Sequence, residues 1–218
     1  VIWSWIPGNA DRILALTVEH LRLALIPVVV GLVLSVPLGW LANRYPLARA
    51  VLVPAAGVLY TIPSLTLFVV LPGILGTRIL SEINIIVALT IYTVALLVRT
   101  IADALAAVPG LVVAAATAMG YRPARRFLDV ELPLAIPVLI AGLRVATVSS
   151  ISLVSVGALI GVGGLGEFFT EGFQLQFPTE IIVGVALTVL LALAGDAVLL
   201  VIGRILTPWN RQRAGGAR

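Results

Sequence analysis

The chain has 218 residues, of which 61% are hydrophobic and 11% charged, with a mean hydropathy of +1.16. A soluble domain carries roughly 25% charged residues, so this composition excludes a water-soluble globule and points to an all-α integral membrane protein. The formal charge of +4 rests on arginine alone, and the absence of lysine excludes a P-loop, which needs that side chain on the β- and γ-phosphates.

Cysteine is absent and His20 is the only histidine. Disulfides, thiolate metal sites and Cys/His nucleophile pairs are therefore excluded, and no metal site is expected. Segment 1–22 reads as an outer, interfacial segment. Trp3 and Trp5 suit headgroup depth, and His20 beside Glu19 reads as an interfacial polar residue. No basic cluster precedes an apolar core here, so a cleavable signal peptide is not expected.

Residues 23–206 read as one transmembrane domain. The first span, 23–42, is long enough to cross a bilayer and carries Gly31, Ser35 and Gly39 at intervals of four. Such a stripe lets a helix approach closely, and both internal packing and dimerisation satisfy it. The second span, 50–74, is interrupted by Pro54, Pro63 and Pro72, which predicts a kinked or broken helix whose freed backbone groups need partners. The third span, 83–105, ends with Arg99 and Asp103, an i,i+4 pair suited to a boundary salt bridge.

A polar island follows at 108–133. Pro109-Gly110 ends the third helix, and the alanine-rich stretch 111–119 predicts a short helix terminated by Gly120 in a left-handed conformation. Pro123 suits the first turn of a second short helix through Arg125 and Arg126. Leu132-Pro133 is expected to turn the chain back to the membrane. The expectation is two short helices lying across the bilayer plane and joined at Gly120.

The fourth span, 136–160, holds a run of small hydroxyls that includes Thr147, Ser149, Ser150, Ser152 and Ser155. The fifth, 181–204, is joined to it by a Gly-rich connection, 157–180. This connection has four phenylalanines and no arginine, so it is expected to fold back against the membrane domain. It satisfies G-x-G-x-x-G at Gly161, Gly163 and Gly166, but without a βαβ context the dinucleotide reading is rejected. No internal repeat is detected.

Two charges fall within spans, Arg144 and Asp196. Each reads either as snorkelling inward or as part of an inner gate. For a substrate path, the kink residues Tyr60, Pro63 and Ser64 and the hydroxyls Ser149 and Ser152 are the candidates, with helix packing an equal reading of the hydroxyls. With the island inside and five spans, ten arginines lie inside and three, Arg12, Arg22 and Arg78, outside. The positive-inside bias then places the N-terminus outside and the tail 207–218 in the cytoplasm.

Ala114-Ala115-Ala116, Gly120 and Val130-Glu131-Leu132-Pro133 have a specific spacing. It resembles the cytoplasmic coupling loop of ABC-importer permeases: Glu-Ala-Ala, three residues, Gly, nine residues, Ile-x-Leu-Pro. Leu59-Tyr60-Thr61-Ile62-Pro63-Ser64-Leu65, Gly161-Val162-Gly163-Gly164-Leu165-Gly166-Glu167-Phe168 and Ala141-Gly142-Leu143-Arg144 resemble segments of the osmoprotectant group of these permeases. The similarity runs from the first span to the fifth.

The resemblance implies a type I ABC-importer permease bundle of about five transmembrane helices in a bacterial or archaeal plasma membrane. It implies import of glycine betaine, choline, carnitine or proline delivered by an extracytoplasmic binding protein. Ala114, Ala115, Ala116, Gly120, Arg122, Arg125, Arg126, Glu131, Leu132 and Pro133 would meet the ATPase subunits. ATP and Mg would be bound there, with no cofactor in this chain. A second permease chain, identical or paralogous, and the lipid bilayer complete the partners; nucleic acid is not expected. Ala114 departs from the family, which has glutamate there, so any ion pair of that glutamate is missing. Methionine-importer permeases share the layout, and an autonomous secondary transporter or channel and a membrane anchor are the readings from other classes.

Overall fold

The computed structural model describes residues 2–209. Arg211, Arg213, Arg218 and nearly all of the predicted tail lie outside the described residues. Among those described, the ordered elements are helical. A single turn (Trp5–Gly8) is followed by α1 (Ala10–Arg44), α2 (Pro46–Thr61), α3 (Ser64–Leu75), α4 (Glu82–Ala106) and α5 (Gly110–Ala118). Next comes α6 (Pro123–Ile160), continuous through a π-helical turn at Phe127–Glu131, and then α7 (Glu167–Gln174) and α8 (Pro178–Leu206). Four helices, α1, α4, α6 and α8, are long and apolar enough to cross a membrane, and α2 with α3 forms a broken pair.

The first helix departs from expectation. Residues 10–22 are not a separate interfacial segment but the start of a 35-residue helix, about 50 Å long and so longer than the hydrocarbon core. Its charged residues near the start do not break it, because Arg12 and Arg22 each find a carboxylate across the bundle. Arg12 pairs with Glu171 and, at 3.3 Å, with Glu180; Arg22 pairs with Glu82. His20 is also corrected. Helical continuity places it on the buried stripe of Leu16, Leu23, Ala24 and Pro27, where its Nε2 donates to the Ile151 carbonyl at 2.8 Å. Gly164 of the Gly-rich connection seals it, since a Cβ there would lie 2.8 Å from the His20 backbone.

The stripe of Gly31, Ser35 and Gly39 is used inside the chain. All three are buried, and against α4 a Cβ at Gly31 would come 2.4 Å from Thr93 Cγ2, one at Gly39 2.5 Å from Ile101 Cγ2. The resulting close approach makes α4 the central helix. Leu23, Phe68, Ile85, Leu89, Ile151 and Val154 fill one half of the core. Leu97, Ile101, Ala135, Leu139 and Ala146 fill the other.

The second predicted span is two helices bent by 103°. Ile62 precedes a proline and takes an extended conformation (φ −64°, ψ 128°), as steric conflict with the proline ring requires. Helix α2 has 16 residues and α3 has 12, so neither crosses a bilayer unaided. The Gly-rich connection folds back as expected, with Leu165 and Phe168 fully buried. Helix α8 packs along α6, yet none of its most apolar window is buried within the chain.

The tight α1–α4 contact generates a test. Gly31→Ala should destabilise the detergent-solubilised chain by about 1–3 kcal/mol, the usual cost of overpacking. Gly57→Ala, with nothing within 4 Å of its Cβ position, should leave the melting temperature unchanged or raised.

Candidate functional site

The loop between α4 and α6 is a jointed lever. Helix α5 ends in a Schellman turn: the Gly120 N–H donates to Thr117 O at 3.0 Å, the Tyr121 N–H to Ala116 O at 3.1 Å, and Gly120 takes φ +83°. Only glycine adopts that conformation without strain. The turn faces Ala116 inward, where it is buried, and leaves Ala114 and Ala115 exposed. Leu111 (85% exposed) and Met119 (70%) stand with Ala115 and Ala118 on one outward stripe. Sequence reading passed over both large residues, although their i, i+4, i+8 spacing with Ala115 was the available signal.

The second half of the lever differs from expectation. Leu132-Pro133 does not turn the chain; the helix beginning at Pro123 runs without interruption to the far side. The Leu132 N–H bonds to the Phe127 carbonyl five residues back, and this widened turn admits Pro133, which has no N–H to place. The loop therefore holds one separate short helix, and its second part is the foot of α6.

Arg126 and Glu131 face into the joint. The Arg126 side chain is 18% exposed, and its Nε donates to Glu131 Oε1 at 2.6 Å while Nη1 donates to Thr117 Oγ1 at 2.8 Å. Glu131 is buried. These two residues thus brace α5 against the foot of α6 instead of presenting charge outward. Thr117, the hinge partner, was not singled out from sequence. Arg122 and Arg125 are exposed; Arg125 pairs with Asp129 at 3.0 Å and lies 5.5 Å from the Tyr121 ring centre. At the same end, Asp103 pairs with Arg49 at 2.5 Å and more loosely with Arg99 at 3.7 Å.

The second locus is the break between α2 and α3. Proline removes a helical donor there, and the Tyr92 hydroxyl of α4 donates to the stranded Ile62 carbonyl. The Tyr60 ring meets Tyr92 edge-on, 5.8 Å between centres at 81°. Tyr60, Tyr92, Thr93, Ser149 and Ser150 line a narrow cleft, and Ser150 is itself tied to the Ala24 carbonyl at 2.9 Å. The predicted residues thus divide: Tyr60 and Ser149 share the cleft, Pro63 and Ser64 mark the break, and Ser152 is exposed along α6 outside it. Tyr92, beside Thr93 in the third span, was missed because one polar pair in an apolar helix carries no direction.

The third locus is a bidentate ion pair. Arg144 Nε and Nη2 donate to Asp196 Oδ1 and Oδ2, both at 2.7 Å, linking α6 to α8. Each side chain is about one-third exposed (34% and 32%). The two charges, read from sequence as snorkelling or as part of an inner gate, are paired with one another. No group of three or more metal-ligating side chains occurs among the described residues.

A sequence model of the family described as "Binding-protein-dependent transport system inner membrane component" matches residues 31–212. The choline transport system permease protein OpuBB of Bacillus subtilis (strain 168) is 32% identical over 212 residues, covering 97% of this chain and 96% of that protein. The glycine betaine/carnitine/choline transport system permease protein OpuCB of the same organism is 31% identical over 209 residues, covering 96% and 95%. Among solved structures, an inward-facing conformation of the MetNI methionine ABC transporter superposes with a TM-score of 0.75 at 23% identity, over 89% of this chain and 98% of that one. This likeness concerns the fold.

Two outcomes follow from the geometry. Tyr92→Phe, which strands the Ile62 carbonyl, should cost about 1–3 kcal/mol, read as a lowered melting temperature. Arg144→Met or Asp196→Leu alone should destabilise more than the two together, because a single change leaves an unpaired charge within a span; thermal melts of the four proteins form the cycle.

Proposed function

The chain belongs to the family of binding-protein-dependent transport system inner membrane components, and from that membership we propose that it is the permease subunit of an ATP-driven importer of osmoprotectants, small quaternary ammonium solutes such as choline and glycine betaine. The family implies a permease whose energy is supplied by a separate ATPase and whose cargo is delivered by a binding protein. The relatives' choline and glycine betaine names support the substrate class.

The observation that carries the mechanism is the lever. Leu111, Ala115, Ala118 and Met119 form an apolar outward stripe with no carboxylate, suited to a groove in an ATPase subunit. Closure of an ATPase dimer around bound ATP and Mg would displace α5. The Arg126 brace to Thr117 and Glu131 passes that displacement to the foot of α6. Because α6 is one continuous helix, movement at its foot reaches Ser149 and the cleft beside Tyr60. The exposed Tyr60 ring offers its face to a cationic solute, a weak site suited to passage. Selectivity then resides in the binding protein. In this reading the lever end is cytoplasmic and the end bearing the N-terminal turn and the Gly-rich connection faces outward. The uncovered face of α8 and the exposed side of α6 meet lipid and a second permease chain.

The test is reconstitution of the chain with its ATPase and binding protein in liposomes. Choline or glycine betaine should accelerate ATP hydrolysis and accumulate inside. Ala115→Trp, at an exposed position, should leave the melting temperature unchanged while abolishing both uptake and co-purification of the ATPase. Substrate flux through the chain alone would sink the proposal.

A further inference from the structure

Two recesses meet at Trp40, at the end of the bundle that carries the lever. One, of about 270 Å³, is walled by Val36, Pro37 and Trp40 of α1 and Ala124, Phe127 and Leu128 of α6, and it exposes no polar surface. The other, of about 150 Å³, is half polar and takes in Asn43, Arg44, Arg126 and Glu131. Trp40 lines both and stands edge-on to Phe127, 6.1 Å between ring centres at 63°.

The charges in the polar recess are unequal in what remains available. Arg126 is answered by Glu131 at 2.6 Å. Arg44 is exposed, and its described contact is the ring of Tyr45, 5.9 Å to the centre, which leaves its positive charge uncompensated. Along α1 the order is apolar (Val36, Pro37), amphipathic (Trp40), then polar and cationic (Asn43, Arg44). From Pro37 to Arg44 the helix rises about 10 Å, enough to pass from the outermost methylenes through one headgroup layer.

We propose that the two recesses are one binding site for a phospholipid with an anionic headgroup. An acyl chain lies in the apolar recess, the indole of Trp40 sits at the ester level, and Arg44 with Asn43 takes the headgroup anion. The uncompensated cation beside a recess with no polar lining matches that amphiphile. A soluble ATPase does not reach the hydrocarbon level of Val36 and Pro37, and another apolar helix would leave Arg44 unanswered. The site also touches the lever, since Ala124, Phe127 and Leu128 belong to the foot of α6. A bound lipid therefore sets how freely that foot moves.

The experiment uses the permease–ATPase complex, stripped of lipid in detergent. It is titrated separately with phosphatidylglycerol and phosphatidylcholine, and bound lipid per chain is counted by native mass spectrometry. One phosphatidylglycerol per permease chain should be retained at concentrations that leave phosphatidylcholine unbound. Arg44→Gln should weaken phosphatidylglycerol about fivefold, the worth of one basic side chain at an anionic surface, with no change in melting temperature. Ala124→Trp, which fills the apolar recess, should reduce retention of phosphatidylglycerol, and of phosphatidylcholine at the higher concentrations where it binds. Arg99→Gln, at the same end but outside both recesses, should change nothing. Equal retention of the two lipids, an Arg44→Gln protein that binds like the parent, or an equal loss in Arg99→Gln would overturn the site. So would lipid binding only after removal of the ATPase or of a second permease chain, which would make this face a protein interface.

Discussion

A backbone group inside a bilayer has no water to bond with, so each departure from helix in this chain must be answered by another part of the protein. Among the described residues, three such departures do most to set the architecture. At Ile62-Pro63 the broken helix strands a carbonyl, and the Tyr92 hydroxyl takes it. At Phe127–Glu131 the helix widens by one residue and so absorbs Pro133 without breaking. In the Gly-rich connection, positive φ at Gly161 and Gly164 lets the chain fold tightly onto α1. The break, the widened turn and the refolded connection are also where the chain is least regular, and two of them lie at the candidate site.

Charge is distributed by the same economy. At the end bearing the N-terminal turn, Arg12 and Arg22 are each held by carboxylates. At the lever end, Arg122 is exposed, and Arg49 and Arg99 share the one carboxylate of Asp103. Between these ends the pair Arg144–Asp196 cancels itself through two hydrogen bonds. Such a pair contributes little net stability against an apolar alternative, but it fixes the register of α6 on α8. At its first turn α8 is tied to the chain by Glu180, which pairs with Arg12, and by Thr179, whose hydroxyl oxygen accepts from the Ile2 N–H.

The lever owes its mechanical properties to packing more than to charge. Its outward stripe of Leu111, Ala115, Ala118 and Met119 is apolar and carries no carboxylate. Its inward side is held by Arg126, which reaches both Thr117 and Glu131. In the proposed coupling, contact with the partner falls to the stripe and connection to the bundle falls to the brace. The Schellman turn at Gly120 supplies the pivot between them.

Much of the fold was legible in the sequence. Apolar runs bounded by arginine and proline mark the spans, since only a helix satisfies its own backbone in lipid, and the spacing from Ala114 to Pro133 marks the loop and its family. Gly120 as a helix terminator and Pro63 as a break follow from the dihedral limits of those two residues. What sequence did not determine was direction. Whether His20 faces headgroups or core, whether Gly31 and Gly39 serve α4 or another chain, and whether Arg126 and Glu131 point outward or at one another depend on helix phase and neighbours. The pairing of Arg144 with Asp196, 52 residues apart, and of Tyr92 with Ile62, 30 apart, likewise appears only once helices are packed. Local chemistry sets where a helix starts, stops or breaks; only tertiary contact decides which of its faces meets which partner, because every face of an apolar helix is equally soluble in lipid.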